Sequence, residues 1–419
     1  MRLGIVATGD ELATGSCVDT NSAAIAARLL ELGFETERIV VLGDDEEALA
    51  ATLVDLSARC DAIVVTGGLG PTLDDVTRSA AARAAGTDLV LSEAALAELR
   101  EWWGRSRRPF PASNERQAWF PRGAEILRNP LGTAPGFQCR VGRALVFALP
   151  GPPREMHGML ESEVVPRLRA AWTGGESLSR AGFYLFGLSE SAFADQSGAW
   201  MDRAANPLLG VTAKGGVLTA RIVARAADQR GAAALLAGRA QEFRERFAEW
   251  IFSETDADPA FALGRKLIER KLKLAIAESC TGGLVAEKLT RVPGISAVFE
   301  RGYVTYSNRA KTELLRVPES LIEKHGAVSA EVAEAMAQGA SESSGARLAV
   351  SVTGIAGPDG GTAEKPVGLV WFGLSIDGRA SSVERRFAVR SRELIREFAA
   401  NTALDLLRRN LPAERDAGG

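Results

Sequence analysis

The sequence predicts an α/β protein in which two doubly wound α/β domains flank a small α+β domain. Three observations carry that prediction. Short β-branched runs alternate with helical periodicity over residues 1–168 and again over 256–419. In both segments those runs break into loops of Gly, Thr and acid, whereas residues 169–255 open with A-A-W-T-G-G-E-S and then keep strands and helices in which nothing looks catalytic. At 419 residues the chain is also long enough to bury several cores.

In the first segment R-L-G-I-V-A-T (2–8) is an unbroken apolar strand, and Thr20 or Asn21 caps a helix through Leu32. E-R-I-V-V-L (37–42), a helix after Asp44 and D-A-I-V-V-T (61–66) continue the rhythm of βαβ units, which calls for a parallel sheet. Ligands of such sheets sit beyond the carboxyl ends of the strands. Those ends are T-G-D-E-L (8–12), L-G-D-D (42–45) and T-G-G-L-G-P-T-L-D-D (66–75). The middle segment has a helix beginning at Ser189, the strand V-L-T-A-R-I-V-A-R (217–225) and a helix across 228–248, and S-E-T-D-A-D-P (253–259) marks its end. From Pro259 the alternation returns. A helix runs to about Arg270, followed by L-K-L-A-I-A (272–277), the loop A-E-S-C-T-G-G (277–283), a helix to Leu289 and R-G-Y-V-T-Y (301–306). Helices either side of His325, R-L-A-V-S-V-T (347–353), strands over 368–376 and 382–389, and a helix over 391–410 complete it.

Composition excludes several classes. The chain is 46% hydrophobic and 25% charged, with no apolar run of membrane-spanning length, and its first residues have neither the length nor the cleavage site of a signal peptide. A cytoplasmic address is expected. Cys17, Cys60, Cys139 and Cys280 form no C-x-x-C pair, so they read as free thiols and not as a zinc site or disulfide framework. A net charge of −3 gives no electrostatic reason to bind nucleic acid. With only His157 and His325 available, Ser-His-Asp chemistry cannot serve several centres. Every lysine lies at or beyond Lys214; each merits inspection, because a lysine can be tuned into a general base while arginine stays charged.

In T-G-G-L-G-P-T-L-D-D-V-T, Gly67, Gly68 and Gly70 let backbone N–H groups approach a ligand, with Thr72 beside them and a helix starting near Val76. The loop reads either as a phosphate cradle or as a tight turn with Asp75 as an N-cap. Adjacent Asp74 and Asp75 favour metal-assisted chemistry on a phosphoanhydride, since carboxylates repel a phosphate unless a divalent cation bridges them.

The stretches G-D-E-L-A-T-G-S-C-V-D-T-N (9–21), G-G-L-G-P-T-L-D-D-V-T (67–77), N-P-L-G-T-A-P-G-F (129–137) and L-P-G-P-P-R-E-M (149–156) resemble the CinA family of competence/damage-inducible proteins. Ala13 departs from the leucine usual there. The resemblance covers nearly the whole chain. It implies a MogA/MoeA-like, molybdopterin-binding-like domain over 1–168, a small KH-like α+β domain over 169–255 and a deamidase domain over 256–419. It also implies a homodimer and an N-terminal pyrophosphatase that converts ADP-ribose to AMP and ribose 5-phosphate with a divalent metal, magnesium or cobalt, and potassium. Asp10, Glu11, Asp44, Asp74 and Asp75 are then the candidates for metal or water activation, each alternatively a structural cap. A domain that binds a pterin or nucleotide without cleaving it, within a non-catalytic competence or damage accessory, is the rival reading. A KH domain that grips RNA needs a G-x-x-G loop, and no glycine pair between 169 and 255 has that spacing.

The C-terminal motifs A-E-S-C-T-G-G, V-P-G-I-S-A-V-F, R-G-Y-V-T-Y-S-N-R-A-K, H-G-A-V-S and S-V-T-G-I-A-G-P-D-G-G resemble the PncC-type nicotinamide mononucleotide deamidase, which needs no cofactor. Amide hydrolysis calls for a nucleophile, a base and oxyanion donors. Cys280 has no histidine near it in sequence to form a thiolate, and His325 has an ordinary place at a helix C-terminus before Gly326. Ser296 with Lys311 as base, and Tyr306 and Asn308 in the relay, is the expected catalytic group. By residue type alone Ser296 also reads as the cap of a helix A-V-F-E-R, and Lys311 as a surface ion-pair partner. Ser279, Thr281 and Gly282 in one loop and Thr353 and Gly354 in another are candidates to hold the substrate phosphate or the oxyanion. Arg390 and Arg392 are candidate phosphate partners.

Overall fold

The computed structural model describes residues 1–105, 110–172, 176–388 and 391–412. Two compact units form, Met1–Leu178 with Ala226–Gly231, and Ser179–Arg225 with Ala232–Gly419.

The first unit is the expected doubly wound domain. β1 (Arg2–Thr8), α1 (Asp10–Ala13), α2 (Thr20–Glu31), β2 (Glu35–Leu42), α3 (Glu46–Arg59), β3 (Ala62–Thr66) and α4 (Thr77–Ala84) follow the predicted rhythm. β4 (Leu89–Leu91), α5 (Glu93–Arg105), β5 (Trp119–Pro121), β6 (Glu125–Leu127), β7 (Gly136–Val141), β8 (Ala144–Leu149), α6 (Pro153–Met159) and α7 (Val165–Ala171) complete the unit. The sheet order is β2-β1-β3-β8-β7-β6. β2, β1, β3 and β8 are parallel, but β7 runs against its neighbours β8 and β6, so the sheet is mixed at one side. The hairpin β7–β8 turns at Gly142, whose φ of 53° suits glycine. Helices cover both faces: Leu49, Leu53 and Phe137 are buried in one core, Ile25, Phe147 and Met156 in the other. That double burial explains why β3 reads as an unbroken apolar run. α2 is capped by Asp19, whose carboxylate accepts from Ser22 N at 2.9 Å. Asn21, an expected cap, instead donates to Thr66 Oγ1 and Gly151 O and ties the helix start to the end of β3.

The second unit begins with the α+β domain: β9 (Ser177–Phe186), α8 (Glu190–Ser197), β10 (Leu208–Lys214), β11 (Val217–Ala226), α9 (Gln229–Phe247) and β12 (Ile251–Ser253), in sheet order β10-β11-β9-β12. Phe183, Phe193, Phe243 and Phe247 fill its core, with rings as close as 4.6 Å between centroids. The C-terminal domain follows with α10 (Pro259–Glu269), β13 (Leu274–Glu278), α11 (Leu284–Thr290), β14 (Phe299–Val304), α12 (Asn308–Leu315), α13 (Glu319–His325), α14 (Ala330–Ser344), β15 (Leu348–Gly354), β16 (Leu369–Ile376), β17 (Arg379–Arg386) and α15 (Arg392–Arg409). Its sheet order is β14-β13-β15-β16-β17, the first three strands parallel and β16 antiparallel to both β15 and β17. The two domains of this unit share a small core of Phe186, Val217 and Phe252 with Ala262, and Asn401 Nδ2 donates to Gly215 O at 2.8 Å. Among the described residues no helix is long and apolar enough to cross a membrane.

Candidate functional site

The three N-terminal loops line one cleft of about 380 Å³ at the carboxyl edge of β1, β2 and β3. Gly67, Gly68, Gly70, Thr72, Glu11, Asp44, Asp74 and Asp75 all face it. Gly67 and Gly68 have φ of 106° and 62°, and a Cβ on Gly67 would fall 2.2 Å from Thr8 O, so glycine is obligatory there.

Three of the acids shape the loops. Asp10 and Asp44 bind each other's loops: Asp10 N donates to Asp44 Oδ2 and Asp44 N to Asp10 Oδ1, each at 3.0 Å. Asp75 is not an N-cap of α4. Its carboxylate accepts from Gly70 N at 2.7 Å, Thr72 N at 2.8 Å and the Thr72 hydroxyl, closing the loop on itself. Beneath it buried Arg78 donates to Leu69 O at 2.7 Å, and burial pulls its pKa down to about 10. Asp74 is exposed at the mouth, and the Thr72 side chain and loop backbone hold its carboxyl below the ordinary range. Among the described residues no three His, Cys, Asp or Glu side chains converge to hold a metal ion. Of the set Asp10, Glu11, Asp44, Asp74 and Asp75, the carboxylates of Asp10, Asp44 and Asp75 accept backbone N–H groups and hold loop shape, while Glu11 and Asp74 are exposed.

In the C-terminal domain the register decides the site. β13 and β14 pair in parallel from Leu274↔Phe299 to Glu278↔Val304, which sets Ser279 beside Thr305 just past the carboxyl edge. α12 then turns back and delivers Lys311 to the same place. Lys311 Nζ lies 3.2 Å from Ser279 Oγ, 2.9 Å from Thr305 O and 3.4 Å from Tyr306 O. The lysine is 1% exposed, and burial lowers its pKa. Among the described residues no carboxylate pairs with it.

Ser296 is elsewhere. It is an exposed residue on a single 3-10 turn, Ile295–Ala297, ahead of β14, while Lys311 acts past the other end of that strand. Six residues of strand separate the two ends by about 20 Å. The Ser296–Lys311 pair is not formed, and A-V-F-E-R opens a strand, so Ser296 is not its helix cap either. Tyr306 is 61% exposed, with its hydroxyl accepting from Arg392 Nη2 at 2.9 Å; only its carbonyl reaches Lys311. Asn308 is exposed at the first turn of α12. Thr353 donates to Ala327 O at 2.7 Å, and a Cβ on Gly354 would crowd Leu369 O, so both shape β15 and its neighbours. Arg390 lies outside the described residues.

The loop A-E-S-C-T-G-G (277–283) has an internal occupant. Buried Glu278 turns its carboxylate onto the start of α11 and accepts from Gly283 N, Val285 N and Ala286 N at 2.9–3.1 Å. The helix start is thus filled by an internal anion, which removes it as a phosphate cradle. Cys280 is buried and its thiol is pushed up to about 12, so it is a poor source of thiolate. Thr281 is fully buried, its Oγ1 without a partner among the described residues, and its carbonyl accepts from Arg396 Nη2 at 2.8 Å. His325 ends α13 and pairs with Glu331 at 3.1 Å, away from this group.

Three family models match the chain: a probable molybdopterin binding domain over residues 4–170, a damage-inducible protein CinA KH domain over 181–253 and a CinA C-terminal domain over 257–411. A protein of Citrifermentans bemidjiense named "CinA-like protein" is 46% identical over 419 residues, covering 100% of both chains. The chain belongs to the CinA family. A second CinA-like protein, from Geobacter sulfurreducens, is 45% identical and covers 98% of this chain and 99% of its own. Among solved structures, the competence/damage inducible protein CihA from Agrobacterium tumefaciens is 45% identical, with a TM-score of 0.34, over 36% of this chain and 93% of its own. Within this CinA chain, the signal that would have found Ser279 is its position: the first polar residue after a fully buried parallel strand, on the strand's carboxyl side. Glu278 carried a signal too, as an acid followed closely by two glycines and a helix.

Proposed function

We propose that the C-terminal domain hydrolyses the carboxamide of nicotinamide mononucleotide to the acid, with release of ammonia. The observation that carries this reading is a buried lysine, unpaired with any carboxylate among the described residues, within hydrogen-bond distance of a serine hydroxyl. A neutral Lys311 amine donates its two N–H bonds to Thr305 O and Tyr306 O and keeps its lone pair for the Ser279 proton. Ser279 Oγ bonds to the carboxamide carbon as Lys311 takes that proton. The C–N bond then breaks, and Lys311 returns the proton to the departing nitrogen as ammonia. Water, deprotonated by Lys311, attacks the acyl-serine carbon; the C–Oγ bond breaks, Lys311 returns the proton to Ser279 Oγ, and the acid is released. Arg392, which reaches Tyr306 from the start of α15, is the cation for the substrate phosphate. Full-length protein incubated with nicotinamide mononucleotide should release ammonia, and Ser279→Ala should reduce the rate on the order of 10³-fold or more. Undiminished release by Ser279→Ala would sink this reading.

The N-terminal cleft is proposed to cleave ADP-ribose to AMP and ribose 5-phosphate, making the chain a bifunctional enzyme of pyridine-nucleotide recycling. Support comes from the glycine-walled cleft at the strand ends and from Glu11, an exposed carboxylate on its wall. Glu11 is the group available to accept a proton from the attacking water. A divalent ion, magnesium or cobalt, fits this cleft as a companion of the diphosphate and not as a resident of the protein. Potassium belongs to the same proposal, and no step is assigned to either ion. Glu11→Gln should abolish AMP release while ammonia release continues.

A further inference from the structure

Beside the cleft lies a second, larger cavity of about 640 Å³, within the range of small-molecule sites. Its walls are different in kind. Trp102 from α5 and Ile126 from β6 present apolar surface at 42% and 36% exposure, and Glu98 and Arg128 stand at its edge as exposed charges. The two cavities meet at Thr133, which lines both. Their common wall is fixed by Asn129 of the second cavity, whose Nδ2 donates to Glu155 Oε2 of the first at 2.7 Å and to Ala134 O at 2.9 Å. Gly132 packs on that carboxylate so closely that a Cβ would collide with it.

We infer that the second cavity is the base compartment of the N-terminal site, and that it takes an adenine whose diphosphate lies in the glycine-walled cleft. The inference rests on the reading of that cleft as a diphosphate site. A flat indole offers a stacking face to an aromatic base, and stacking on such a platform strengthens binding whatever the base. Glu98 supplies the specificity: a carboxylate accepts from the exocyclic amine of adenine, while Arg128 donates to a ring nitrogen. A ligand lacking the base would fill the cleft alone.

The test uses full-length protein and two non-hydrolysable probes, adenosine 5′-(α,β-methylene)diphosphate and methylenediphosphonate, which share the phosphonate group and differ by the adenosine. Wild type should bind the adenosine probe more tightly and show quenched tryptophan emission. Trp102→Ala should weaken that probe by roughly tenfold or more and leave methylenediphosphonate unchanged. Trp102→Phe should retain most of the affinity but lose the quenching, and Glu98→Gln should narrow the preference for adenosine over inosine forms of the probe. Equal affinity of wild type for both probes, or an unchanged or equally weakened pair in Trp102→Ala, overturns the base compartment. Failure of wild type to bind methylenediphosphonate while the adenosine probe still depends on Trp102 overturns the diphosphate reading alone. Binding of neither removes both.

Discussion

Lys311 is the residue on which the deamidase proposal turns, and its burial makes two measurements decisive. Lys311→Arg keeps the positive charge but cannot release its proton, so ammonia production should fall about as far as in Ser279→Ala, whereas Ser296→Ala should retain most of the wild-type rate. Cys280→Ala should likewise stay active, because the thiol is protonated at working pH. The second measurement is pH dependence. The folded-state pKa of Lys311 is depressed, so between that value and the ordinary lysine value the unfolded chain binds a proton that the native chain does not. Stability should therefore rise with pH across that window, and lie at its lowest for this group where both states are protonated. Deamidase rate should rise over the lower part of the same window as the amine becomes neutral. Denaturation midpoints of wild type and Lys311→Met, compared from neutral pH upward, should show the slope in the first and its loss in the second.

Helix starts and loop closures are held by single carboxylates in both domains. Glu278 binds three N–H groups at the start of α11, so Glu278→Gln, which keeps the shape but turns an amide toward those donors, should cost about 1–3 kcal/mol by urea titration. Ammonia release should fall as well, since Ser279 is the next residue and its orientation depends on that turn. In the first unit Asp75 plays a comparable part for Gly70 and Thr72. Asp75→Asn should lower affinity for a diphosphate without any change in its dependence on metal concentration, because the carboxylate shapes the loop and does not ligate. A steepened metal dependence in this variant would return Asp75 to the ligand set.

Across the whole molecule, the middle domain is part of the structural unit that holds the Ser279–Lys311 pair. The core formed by Phe186, Val217 and Phe252 with Ala262 and the bond from Asn401 to Gly215 would both be opened in a fragment starting at Asp256. That fragment should still release ammonia, because Ser279, Thr305, Lys311 and Arg392 all lie within it, but it should unfold at a lower temperature than a fragment starting at Ser177. Equal melting temperatures would show that the shared core contributes nothing. The same α15 carries Arg392 and Arg396 toward the site and Asn401 toward the middle domain, so the fragment should also show a weaker KM with a smaller change in kcat.

By itself the sequence determined the alternation of strands and helices, because a strand buried on both faces leaves an unbroken apolar run and a helix leaves a periodic one. It also determined which strands end in glycine and acid, and hence the edge at which ligands sit. By residue type it left Lys311 open to a surface ion pair, and the family resemblance made that lysine, beside a tyrosine-rich strand, the expected base. It did not determine the partner of that base. Ser279 and Ser296 are both serines in glycine-bearing loops, and only parallel pairing of β13 with β14 puts one beside Lys311 and the other a strand's length away. The acids of the first unit followed the same rule: proximity in a motif suggested metal ligands, but hydrogen-bond direction assigned Asp10, Asp44 and Asp75 to backbone N–H groups. Pairing register and hydrogen-bond direction relate residues far apart along the chain or fix which way a side chain turns, so tertiary structure alone could decide them.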